Sequence, residues 1–258
     1  MRKLRKFMVY LVATFLLLSV GPLTKLVAGG AGGSDWRTAS RESARIAPLP
    51  ADHPEALLQV YAARTFSWRG AFAVHTWFAV KPTDAEQYTV YEVIGWRARH
   101  GGSALAIHHD LPDRYWFGKR PDLIAELSGA GVDAVIERLD AAARAYPYAT
   151  AYRTWPGPNS NTFTAWVGRA LPELALDLPP TAIGKDWLDA GNGEFFAETP
   201  SNTGYQVSLF GVLGLLIGVE EGIEINIAGL TVGIDPLDLA LKLPGVGRIG
   251  GIDGVRAE

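Results

Sequence analysis

The residue that raises the first chemical question is Ser160, in "PGPNSNTFTAWV" (Pro156 to Val167). A Pro/Gly loop runs there into Phe163, Trp166, Val167 and Ala170, which recur at helical spacing, so a helix is expected over Asn161 to Ala170. Ser and Asn are favoured helix caps because their side chains accept from free backbone N–H groups. The same helix end would stabilise an oxyanion, through its dipole and its free N–H groups. Serine needs a base, since its hydroxyl is a weak nucleophile at neutral pH. His75, mid-strand in "AFAVHTWFAV", is the best base in the chain; a buried, hydrogen-bonded histidine is the plainer reading of the same residue.

A third group should orient the base. Glu92 in "VYEVIGW" is one candidate and His108 the other. His108 and His109 are successive, so on a strand they face opposite sides and cannot share a metal ion. No metal site and no cofactor is expected. Asn159 and Asn161, or helix N–H groups, are the oxyanion or binding candidates, and Thr162 is a weaker nucleophile candidate. His53 and His100 sit in polar, loop-like context and receive no role.

These residues need elements to position them. "LLQVYAAR" (57–64) fits a strand or a short helix. Strands are expected near 71–80 and 88–96 and in "SALAIHHDLP", forming an antiparallel meander. "RPDLIAELSG" reads as a helix, with Pro121 early and Gly129 as its stop. "GVDAVIERLDAAARAYP" places Val132, Val135, Ile136 and Leu139 on one helical face. After residue 204 the chain turns glycine-rich and β-branched. Ile223, Ile225 and Ile227 alternate there, and the apolar run 207–219 is too short to span a bilayer. A β hairpin or small sheet packed into the core is the plain expectation; a surface that touches lipid or a partner is the sharper one.

The 258 residues are 48% hydrophobic and carry a formal net charge of -3, which supports a real core and argues against nucleic acid as a partner. The absence of cysteine excludes disulfides, thiolate metal sites and a cysteine nucleophile. "MRKLRK" followed by the apolar run Phe7 to Val20 reads as a secretory signal peptide. Extending the run to Ala28 makes a retained anchor, with the basic end cytoplasmic and the rest exported. Residues 1–33 are therefore a signal or anchor, 34–203 an α+β domain and 204–258 a Gly-rich β extension. The periplasm is the expected location, with residues 7–28 in the inner membrane if the anchor is kept.

The order of a histidine strand ("HTWFAV"), a partner strand, helices and then "N-S-N-T-F" (Asn159 to Phe163) opening a helix resembles the circularly permuted papain-like enzymes. Those include the permuted NlpC-type amidases and the lecithin:retinol acyltransferase-like proteins. They have cysteine where this chain has Ser160. Over roughly Ser43 to the C-terminus the chain also resembles a bacterial family of unknown function, the DUF family numbered 3750, through "VHTWFAVKP", "YEVIGWR", "YWFG", "WPGPNSNTF" and "TGYQVSLFG". That resemblance implies a Gram-negative envelope location and no known activity. Three functional expectations stand. The first is an envelope serine hydrolase or acyltransferase acting on a peptidoglycan peptide or lipid-linked acyl group, with Ser160 as nucleophile, His75 as base and Glu92 orienting it. The second is an inactive protein of the same fold that binds peptide, glycan or lipid. The third is a membrane scaffold, which needs a retained anchor and an exposed apolar patch.

Overall fold

Val, Thr and aromatic residues dominate the two segments 74–81 and 89–93 of the first sheet, and both faces of its central strands are covered. The computed structural model describes residues 2–28 and 37–251. The boundary expected between residues 33 and 34 falls outside them. The first sheet holds β1 (Leu57–Arg64), β2 (Val74–Lys81), β3 (Thr89–Val93), β4 (Leu105–His109) and β5 (Asp122–Ser128), in the order β4-β3-β2-β1-β5. All neighbours are antiparallel, so β1 to β4 form the expected meander. "LLQVYAAR" resolves to a strand.

The helix expected in "RPDLIAELSG" is instead the strand β5. It pairs with the edge of β1 left free by the meander, with a bulge at Val60/Tyr61. Ladder bonds along an open edge outweigh the weak helical signal of a seven-residue segment. The strand expected to Trp96 ends at Val93, and a short helix, α2 (Gly95–Arg99), follows.

One face of this sheet packs on α3 (Val132–Arg144) and α4 (Ser160–Arg169). Leu58, Val60, Phe78, Tyr91 and Val93 meet Ile136, Leu139, Phe163 and Val167 there. The other face carries Tyr61, Trp77 and Val90 beneath Trp116 and Phe117. Alternation along β2 thus gives Val74, Thr76 and Phe78 to the helices and His75 and Trp77 to the aromatic side.

The C-terminal third is larger than a hairpin. A second antiparallel sheet of seven strands runs from β6 (Phe196–Glu198) through β7 (Gly204–Leu209), β8 (Leu213–Gly218), β9 (Gly222–Ile227), β10 (Leu230–Asp235), β11 (Ala240–Leu243) and β12 (Gly247–Gly250) in sequence order. The plain expectation of apolar side chains packed inward is overturned. Tyr205, Ile217, Ile223, Ile234, Leu241 and Ile249 form one cross-strand row and are exposed. Phe196, Val207, Leu215 and Ile225 form a second exposed row. Facing inward are Gln206, Ser208, Glu224, Asn226 and Lys242. Ile217 is 52% exposed and Lys242 0%, so the polarity of this sheet is reversed from that of a soluble core sheet.

At the N-terminus, Arg2–Val27 forms helix α1, and Met8–Val27 is long and apolar enough to cross a membrane by length and composition.

Candidate functional site

The loop ahead of α4 passes through cis Trp155–Pro156 and Gly157–Pro158 peptide bonds. Gly157 lies at φ +145°, where a Cβ would stand 2.7 Å from Cγ of Trp187. The N-cap is Asn159, and Ser160 is the first helical residue. Asn159 Oδ1 accepts from the backbone N–H of Asn161 (2.9 Å) and Thr162 (3.2 Å), and its Nδ2 donates to the carbonyls of Thr154 and Ile183. Thr162 Oγ1 closes the capping box by accepting from the Asn159 N–H (3.1 Å) and donates to the Gly184 carbonyl (2.8 Å). Asn161 Nδ2 donates to the carbonyls of Val74 (3.1 Å) and Ile183 (2.8 Å), while its Oδ1 accepts from Thr76 Oγ1 (3.0 Å). Thr76 Oγ1 also lies 2.8 Å from Thr164 Oγ1. Asn159, Asn161 and Thr162 therefore tie the helix end to β2 and to the 183–184 turn.

His75 and Glu92 are brought together, on the aromatic face. The register sets Glu92 across β3 from Ala106, on the side of Trp77 and Val90. Glu92 Oε2 accepts from His75 Nε2 at 3.0 Å, and Oε1 accepts from His108 Nε2 at 3.1 Å and from Arg114 Nη2. Both orienting candidates thus meet, with Glu92 as the centre. The His75 ring stacks on Trp116, with centroids 3.8 Å apart, and Arg114 lies over Trp77 and Trp116. Burial alone would raise the Glu92 carboxyl; the hydrogen bonds from His108 and His75 and the Arg114 charge outweigh it and hold Glu92 well below the usual carboxylate range. Burial pushes the His75 imidazole below its ordinary value, and Glu92 opposes this only in part. An ionised Glu92 leaves the neutral ring protonated on Nε2, with Nδ1 as acceptor.

Ser160 and His75 are not joined. Among the described residues no hydrogen bond links them; Ser160 belongs to the helix on one face of the sheet, and the imidazole lies with the rings on the other. The β2 residues that meet α4 are Val74, Thr76 and Phe78, which alternate with His75. Arg114 and Trp116 are functional-looking residues that sequence reasoning passed over. Their signal was the cluster of charge and aromatic residues in "DRYWFG". No group of three or more His, Cys, Asp and Glu side chains among the described residues fits a metal ion.

A second buried charge cluster lies under the seven-stranded sheet. Glu224 pairs with Lys185 (2.6 Å) and Lys242 (2.8 Å), and Lys242 also reaches Asp177 (2.6 Å). Arg248 joins Asp177 and Asp235. Burial pushes the neighbouring Asp186 carboxyl up to about 6, against the pull of Lys185. Asp177, Lys185 and Asp186 come from the segment after α4, so this network fastens the second sheet to the first unit.

Residues 55–187, just over half of the chain, match the family model described as "Protein of unknown function (DUF3750)". No curated protein matches, and no solved structure matches.

Proposed function

From the premise that this chain belongs to the DUF3750 family, we propose that it is a membrane-anchored protein of the cell envelope that works by binding rather than by acyl transfer. The observation that carries this reading is the engagement of the groups an acyl transfer would need. Asn159 and Asn161 have their amide donors on backbone carbonyls, and His75 is held by Glu92 and Trp116 on the face of the sheet away from α4. A peptide, glycan or lipid is the ligand class, and the net charge of -3 argues against nucleic acid. The apolar helix α1 supports attachment to the inner membrane with the remainder in the periplasm.

The experiment is fluorophosphonate labelling of the full chain beside Ser160→Ala. The expected result is no adduct at residue 160. An adduct lost in both Ser160→Ala and His75→Gln would overturn the reading.

One observation favours a second reading. His75 Nε2 lies 3.0 Å from Glu92, as a base and its orienter do, and Nδ1 stays an acceptor. On that reading the fold is a permuted papain-like one with serine at the cysteine position, and Ser160 is the nucleophile of a hydrolase or acyltransferase. The same labelling experiment separates the two.

A further inference from the structure

The seven-stranded sheet buries charge and exposes isoleucine. Large apolar side chains each gain about 1.5–3 kcal/mol on leaving water, so two long rows left exposed forgo a large stabilisation unless something covers them. Soluble monomers rarely expose a contiguous apolar patch of this kind. An apolar outer surface over a polar inner one is the pattern of sheets that meet lipid.

The place of α1 indicates what covers the face. Gly21 and Pro22 of α1 pack on Pro244, Gly245 and Val246, the turn between β11 and β12, so closely that neither glycine has room for a side chain. Arg64 of β1 donates to the Val246 carbonyl (2.9 Å) and fixes the same turn to the first sheet. The basic residues at the start of α1 set that end on the cytoplasmic side, so the turn holds the end that leaves the bilayer. α1 also packs beside Ser67–Ala71, where exposed Trp68 lies under the Arg69 guanidinium, a pairing suited to a membrane interface. The seven-stranded sheet therefore begins where the chain emerges from lipid.

We propose that the outward face of this sheet rests on the surface of the bilayer that α1 enters, so that the protein is both anchored in the membrane and seated on it. The sheet lies on the bilayer and does not cross it. Its strands have three to six residues where a spanning strand needs about 9–11, and its edges β6 and β12 are open, which hydrocarbon does not tolerate. This inference goes beyond the binding reading and is independent of whether Ser160 reacts.

The chain has no cysteine, which makes the test direct. Single-cysteine variants of the full chain, Ile217→Cys and Ile225→Cys on the outward face and Glu137→Cys on exposed α3, are labelled with an environment-sensitive dye. Each is reconstituted into phosphatidylethanolamine/phosphatidylglycerol vesicles. The expected result is a blue shift, a several-fold fall in iodide quenching and quenching by doxyl-labelled phospholipid at 217 and 225, with none of these at 137. Iodide quenching at 217 and 225 equal to that at 137 would overturn the proposal. So would shielding at 217 and 225 that is unaffected by doxyl lipid and grows with protein concentration, which would make a second copy of the chain the occupant. All three positions are exposed, so the variants leave the core unchanged.

Discussion

Glu92 in the five-stranded sheet and Glu224 in the seven-stranded sheet are both buried carboxylates with several cationic or imidazole partners. Their surroundings differ. Around Glu92 the sheet is covered on both sides, by helices on one and by Trp116, Phe117 and Ile46 on the other. Beside Glu224, the strand neighbours Ile223 and Ile225 point outward with nothing over them among the described residues. The first arrangement completes itself within the chain. The second leaves an apolar face exposed among the described residues, the face proposed to meet lipid. The residues that look catalytic lie in the self-contained sheet, whereas the unsatisfied surface lies in the other.

The largest effects come from removing either hub. Glu92→Ala takes the shared acceptor from His75 and His108 and leaves buried Arg114 with Asp110 alone, and Glu224→Ala leaves buried Lys185 without its paired carboxylate and Lys242 with Asp177 alone; each loses roughly 3–5 kcal/mol in urea unfolding. Glu224→Ala should also detach the seven-stranded sheet, seen as faster proteolysis after residue 190 than in Glu92→Ala. Equal cleavage in the two variants would break the comparison.

The pH responses should run in opposite directions. His75 is harder to protonate folded than unfolded, so its contribution is present above its ordinary 6.5 and is lost as the pH falls below it. Asp186 is raised from 3.8 to about 6, so its contribution is full below 3.8 and is lost as the pH rises through about 6. The Asp186 swing amounts to at most about 3 kcal/mol at 1.36 kcal/mol per unit. In melting curves from pH 4 to 7.5, Asp186→Asn should be relatively most stabilising near neutrality, and His75→Gln relatively most stabilising near pH 5. The reverse ranking would place the charges wrongly.

Smaller effects sharpen the reading of α4. Asn159→Ala removes a cap and two carbonyl partners and should lose about 2 kcal/mol by chemical denaturation. Ser160→Ala, which removes neither, should lose less. The smallest effect is Ile217→Ser. It should leave stability within about 0.5 kcal/mol, because the side chain is exposed, while reducing self-association in dilute detergent, read by light scattering.

Much of the first sheet was legible because β2 and β3 are aromatic and β-branched. The meander, the α3 stripe and the α4 helix, expected over Asn161 to Ala170 and found over Ser160–Arg169, followed from periodicity. β5 was misread because a seven-residue segment carries little periodicity, and its conformation is decided by the open edge of β1 far away in sequence. His75 and Glu92 were correctly paired, since adjacent antiparallel strands bring alternate residues together. The pairing of His75 with Ser160 was beyond sequence reach. Alternation states which residues share a face, and does not state which face the helix covers. The same limit explains the seven-stranded sheet. Alternation puts Ile223 and Ile225 on one face, yet whether it is the inner one depends on Lys185 and Asp177, far upstream.

The central claim is that the outward face of the seven-stranded sheet, and not the sheet bearing His75, meets the membrane. The most direct measurement is photo-crosslinking of the full chain in vesicles doped with a phospholipid that carries a diazirine on its acyl chain, with adducts mapped by peptide mass spectrometry. The account predicts adducts on α1 and on outward residues of β7 to β10, with none on β1 to β5. Adducts confined to α1 would contradict it.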